Sequence, residues 1–68
     1  MFIVRKAFSV DDIIYYRDTR GLIGYGDFSD YFASSHKIDY ATYYTRKEHA
    51  EEWNKEFLDG DGEVVEVG

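Results

Sequence analysis

Apolar residues recur with two different periods along this chain, and the change of period divides it into elements. From Met1 to Phe8 the pattern alternates. Phe2, Val4 and Phe8 fall on one side and Ile3 and Ala7 on the other, as in a strand with two distinct faces. Ser9-Val10-Asp11-Asp12 reads as a turn. Ile13-Ile14-Tyr15-Tyr16-Arg17, dense in β-branched and aromatic residues, reads as a second strand. Thr19-Arg20-Gly21 would turn the chain back into a shorter strand around Leu22, Ile23 and Tyr25. Between Gly26 and Asp39 aromatics mix with serine and aspartate, which predicts a loop with a short helical turn. Ala41 to Tyr44 has the composition of a short strand.

After Thr45 the period lengthens. Ala50, Trp53, Phe57 and Leu58 follow at helical spacing and form one apolar stripe. Thr45 with Glu48 three residues later matches a capping box, and Gly60 offers the left-handed residue that ends helices. Beyond Asp59-Gly60-Asp61-Gly62, the segment Glu63-Val64-Val65-Glu66-Val67 reads as a last strand. The expected fold is α+β: a small, mostly antiparallel sheet of about four strands, one main C-terminal helix packed on it, then a final strand. All of it falls in a single domain spanning residues 1–68.

Charge changes this picture by its distribution. Of 14 acidic and 8 basic residues, eight acidic ones lie after Lys47: Glu48, Glu51, Glu52, Glu56, Asp59, Asp61, Glu63 and Glu66. Only Lys55 opposes them there, so the last third nets −7 and the rest of the chain +1, which together make the net charge of −6. At 100° per residue the helical carboxylates all fall away from the Ala50/Trp53/Phe57 stripe. Glu51 and Lys55 form the one helpful i,i+4 pair, whereas Glu48–Glu52 and Glu52–Glu56 are like-charge pairs costing about 0.2–0.5 kcal/mol each. Glu56 and Asp59 also sit at the helix end where the macrodipole disfavours anions. Such a surface disfavours direct binding to nucleic acid or to an anionic membrane and favours a basic partner. Solubility alone is the competing explanation.

A chain of 68 residues buries only about 60% of its unfolded surface and usually needs a staple. Cysteine is absent, which excludes disulfides and thiolate metal sites. Two histidines, His36 and His49, are poor material for structural zinc, so no metal or cofactor is expected. Oligomerisation is the staple left, and a homodimer is the expected state. No apolar run approaches the ~20 residues of a membrane span, and Met1–Lys6 lacks the features of a secretory signal, so the expected location is the cytoplasm.

Motifs for catalysis are weak. Gly21-Leu22-Ile23-Gly24-Tyr25-Gly26 matches neither the dinucleotide fingerprint nor the phosphate loop. Asp59-Gly60-Asp61-Gly62-Glu63 lacks the twelve-residue span and flanking helices of a calcium hand and reads as a tight turn. No serine or cysteine stands in a nucleophile-like setting, and an enzyme is not expected. The seven tyrosines exceed what a small core can absorb together with five phenylalanines and a tryptophan. Tyr31, Tyr43 and Tyr44 are therefore candidate interface aromatics.

The run Tyr43-Tyr44-Thr45-Arg46-Lys47-Glu48-His49-Ala50-Glu51-Glu52-Trp53, followed by Glu63-Val64-Val65-Glu66-Val67, resembles a pattern seen in small phage and Gram-positive proteins. In size and acidity the chain is also similar to phage-encoded DNA mimics and other host-takeover proteins. That resemblance implies a homodimeric inhibitor acting in the host cytoplasm or nucleoid. Glu48, Glu51, Glu52, Glu56, Asp59, Asp61, Glu63 and Glu66 would cover the DNA-binding surface of a basic host protein, for example the nucleoid protein HU. The alternative is an interaction module that binds a non-DNA-binding target through its tyrosines.

Overall fold

The computed structural model describes residues 1–19 and 32–68. Four strands, β1 (Phe2–Ser9), β2 (Asp12–Asp18), β3 (Phe32–Ser35) and β4 (Glu63–Glu66), form one sheet in the order β3-β2-β1-β4. Every neighbouring pair is antiparallel. A short 3-10 turn, Ile38–Tyr40, follows β3, and helix α1 (Lys47–Leu58) packs against β1 and β4. The arrangement is the α+β architecture that the two periods predict.

Strand alternation explains the core. Val4 faces Val64 across the β1–β4 ladder and shares its side of the sheet with Phe2; Lys6 faces Ile14, which shares the same side with Tyr16. That side receives α1. Val4, Tyr16, Ala50 and Trp53 are buried together, with Phe2, Ile14, Tyr44, Phe57, Leu58 and Val64 packed around them. Trp53 is the hub, its ring 6.1 Å from Tyr16 and 5.5 Å from Phe57, centroid to centroid. Ile3, one residue out of phase with Val4, is fully buried as well, so β1 is covered on both of its faces at that point.

Residues 41–44 make one bridge rather than a strand. Phe2 and Tyr44 exchange backbone hydrogen bonds at 2.7 and 2.8 Å, while the Thr42 N–H donates to Tyr16 O at 3.1 Å. The ladder between β1 and β2 runs only from Arg5↔Tyr15 to Ser9↔Asp12, so this segment joins the two strands beyond the point where their own pairing stops. The Thr42 hydroxyl accepts the Asp18 N–H at 2.8 Å, standing in for the carbonyl that a further strand residue would supply.

Three local expectations are corrected. Residues 32–35 form an edge strand within the stretch read as a loop, and the helical turn follows it at 38–40. The capping box is not formed. Arg46 is still extended (φ −120°, ψ 136°), so it, not Thr45, precedes the first helical residue, and it makes no side-chain cap. At the other end Asp59 takes the first left-handed position (φ 52°) and Gly60 the second (φ 79°). The Gly60 N–H returns to Asn54 O at 3.0 Å and the Asp61 N–H to Leu58 O at 2.9 Å. The strand expected around Leu22–Tyr25 lies outside the described residues.

Asn54 is the polar residue inside the apolar stripe. Its side chain is buried and binds Gly62 twice, accepting from its N–H (2.9 Å) and donating to its carbonyl (3.0 Å). A Cβ at Gly62 would lie 2.7 Å from both Asn54 Oδ1 and Val4 Cγ1 and 3.0 Å from Leu58 Cδ1. Gly62→Ala should therefore cost about 1–3 kcal/mol, by overpacking and by breaking the amide pair. Urea unfolding measures it, and a midpoint equal to wild type would show that the turn relaxes freely.

Candidate protein-binding surface

All eight acidic residues of the last third are exposed, but they do not share one plane. Glu48, Glu52 and Glu56 fall within an arc of about 80° on the outer side of α1 at 100° per residue, with Glu51 flanking them, and Asp59 follows at the left-handed residue that ends the helix. Asp61 follows in the turn. The last two diverge along β4: Glu63 lies on the face away from the helix, opposite Arg5, whereas Glu66 lies on the helix side opposite Phe2.

Among the described residues, cationic partners stand beside Glu48, Glu51, Asp61 and Glu63. Arg46 lies 3.7 Å from Glu48, Lys47 is 3.8 Å from Glu51, Arg5 is 3.7 Å from Glu63, and Lys6 binds Asp61. The helical pair expected between Glu51 and Lys55 is instead Lys47–Glu51, one turn earlier. Among the described residues, Glu52, Asp59 and Glu66 have no cationic partner. Exposed pairs of this kind contribute about 0–1 kcal/mol, so they reorganise easily when a stronger partner arrives.

Charge spacing limits what this face can imitate. Glu48 to Asp59 spans about 16–17 Å at ~1.5 Å per residue, with a net of one negative charge per about 4 Å. A single DNA strand presents one per ~3.4 Å and the duplex one per ~1.7 Å. One helix face thus approaches the density of one strand and falls well short of a duplex.

The tyrosines separate as strand geometry requires. Tyr16 is buried beneath Trp53, and its neighbour Tyr15 turns to the other face, opposite Arg5. Tyr44 is half-buried against the core, so little of its ring is left for a partner. Tyr43 is 42% exposed and donates its hydroxyl to Ile38 O at 3.3 Å. Tyr31 lies outside the described residues. The sheet face away from the helix is the more cationic one: Arg17 lies 4.6 Å from the Tyr40 ring and donates from Nε to Tyr40 O at 2.9 Å. Of the histidines, His49 is exposed on the helix and His36 lies 3.1 Å from Asp12. Among the described residues no group of three or more His, Asp or Glu side chains is placed to hold a metal ion. Among the described residues no helix is long and apolar enough to cross a membrane.

Two titrating groups beside the turn are perturbed. The hydrogen bond that Lys6 donates to Asp61 holds its ammonium protonated above its ordinary range, against a smaller opposing effect of burial. Burial raises the Tyr16 phenol above 10.0, with the Lys6 ammonium working against it. In the unfolded chain Tyr16 ionises near its ordinary value, and in the folded chain only above it. Its contribution is therefore intact below pH 10.0 and is lost as pH rises through the higher folded value. Urea midpoints measured from neutral to strongly alkaline pH should fall in that window, and Tyr16→Phe should flatten the fall.

Comparisons with protein families, with curated proteins and with solved structures find no match for this chain.

Proposed function

We propose that this protein is a non-enzymatic binding protein whose acidic helix face occupies the DNA-binding surface of a basic host protein, a nucleoid protein such as HU being the type. The observation that carries the reading is the row Glu48, Glu52, Glu56 and Asp59. It stands on the outer side of a helix whose inner side is locked by Trp53. The helix backbone beneath the row is fixed in advance, so binding has to order only the glutamate side chains. The row also keeps like charges at i,i+4 spacing, which a helix selected for stability alone would replace with lysine.

Dimerisation belongs to the same proposal. A second copy would extend the acidic face into a longer track, whose density in one copy approaches that of a single strand. The expected setting is the host cytoplasm, where such a target meets DNA. The tyrosine-based alternative draws no support from Tyr44, which serves the core, and would rest on Tyr43 among the described residues.

Capture from bacterial lysate tests the reading. Immobilised protein, incubated with nuclease-treated lysate at low ionic strength, should enrich basic DNA-binding proteins. That enrichment should fade at physiological salt, where charges are screened beyond about 8–10 Å. Absence of basic proteins from the bound fraction would end the proposal.

A further inference from the structure

We infer that two copies of this chain meet edge to edge through β4, in the register that sets Val65 of one copy against Val65 of the other. This rests on the dimerisation proposed above and names the surface that carries it. β4 ends the sheet, and among the described residues no strand lies beyond it.

Backbone phase decides which groups are free. Phe2 commits both its N–H and its carbonyl to Tyr44, at 2.7 and 2.8 Å. Its cross-strand neighbour Glu66 therefore takes no ladder bond from it, whereas Val67 donates to Met1 O at 2.8 Å. Alternation turns the N–H and carbonyl of Val64 and Glu66 outward, and those of Glu63 and Val65 inward to β1. Gly62 shares the outward phase, but the Asn54 side chain already binds both of its groups, at 2.9 and 3.0 Å. Asn54 thus closes the edge at one end and leaves Val64 and Glu66 open.

The same phase selects a register for antiparallel self-pairing. Val64 opposite its own copy would need Gly62, whose groups are taken, as the partner of Glu66. Glu66 opposite its own copy would set two carboxylates face to face. Val64 opposite Glu66 avoids both conflicts, with Val65 on the two-fold axis and Glu63 opposite Val67. Val64, Val65 and Val67 are half-buried in one copy, so pairing covers further apolar surface.

The flank of α1 above this edge points to a second copy as the occupant. Asn54 and Leu58 lean over Gly62, and Lys47, Glu51 and Lys55 continue that side at 100° per residue. Lys47 lies 3.8 Å from Glu51. A basic partner would meet both lysines of the helix here, whereas a copy brings lysine and glutamate together from each side. α1 packs over β1 and β4, so the two-fold axis places the helices antiparallel about 10 Å apart, an ordinary packing distance. Both rows of Glu48, Glu52 and Glu56 then stay turned to solvent on one face of the joined sheet.

The chain has no cysteine, so an introduced one reports the register cleanly. Neighbours in a pair without mutual hydrogen bonds lie about 4.5 Å apart at Cα, within disulfide range. Val65→Cys, oxidised by air with copper–phenanthroline, should form a covalent dimer more than about tenfold faster than Glu63→Cys, whose thiols stay apart. Wild-type protein should sediment as a dimer. Glu66→Pro should sediment as a monomer with the wild-type circular dichroism, because the N–H it removes serves only the second copy. Equal cross-linking at the two positions, or a Glu66→Pro chain that stays dimeric, would overturn the edge pairing. A monomeric wild-type chain that still captures basic proteins overturns this edge and leaves the acidic helix standing. A dimer that cross-links at Val65 and captures none keeps the edge and ends the reading above.

Discussion

Trp53→Ala should leave the protein largely unfolded at room temperature. Truncating a buried tryptophan costs about 3–5 kcal/mol, from lost burial and from the cavity left behind. The whole domain, at ~0.05–0.15 kcal/mol per residue over its 68 residues, has only about 3–10 kcal/mol to lose. Trp53 touches Tyr16 from the sheet and Phe57 from its own helix, and it is buried in the cluster that joins the two layers. Far-UV circular dichroism through a urea titration reads the loss. Trp53→Phe should recover part of the midpoint, because most of the ring stack survives. A Trp53→Ala midpoint near wild type would mean that α1 is held by its ends, through Asn54 and the Phe2–Tyr44 bridge.

Reversing Glu48, Glu52 and Glu56 to lysine should weaken partner binding by at least ~100-fold at low salt. About 1 kcal/mol per exposed charge, summed over three positions, already gives that factor before new repulsions are added. The fold should scarcely notice. Glu56→Lys improves the match to the macrodipole at the helix C-terminus, Glu48→Lys worsens it at the N-terminus, and the two nearly cancel. Equilibrium titration of the captured partner, alongside a urea midpoint for each variant, separates binding from stability. Affinity unchanged by the triple reversal would assign the acidic face to solubility alone.

The sheet and helix were legible because their periods are long and clean. Phe2-Ile3-Val4 and Ile13-Ile14-Tyr15-Tyr16 announce strands through composition, and Ala50/Trp53/Phe57 announces a helix through spacing. β3 was not legible: Ala33, Ser34 and Ser35 are weak strand formers, and it is pairing with the β2 backbone that extends them. The capping box failed for a similar reason. Tertiary pairing of Tyr44 with Phe2 fixes the chain entering the helix, and a local signal at Thr45 cannot override it.

The candidate site divides the same way. Exposure of the helical carboxylates followed from the helical wheel, but the division of Glu63 and Glu66 between the two faces of β4 depends on a register that only the ladder shows. Alternation puts Phe8 on the inner row with Lys6, whose ammonium lies 5.4 Å from its ring, yet Phe8 sits near the hairpin tip and stays 59% exposed. Asn54 had no signal beyond an amide in an apolar stripe; its purpose appears once Gly62 is seen beside it.

The central claim, that this surface takes the place of DNA on a basic protein, is tested most directly by competition. Labelled duplex DNA bound to the captured protein, or to purified HU, is titrated with this protein while fluorescence anisotropy follows release of the duplex. The account predicts saturable displacement that weakens as salt is raised and is absent for the triple Glu→Lys variant. DNA that stays bound at saturating protein, or is released equally well by the triple variant, would contradict it.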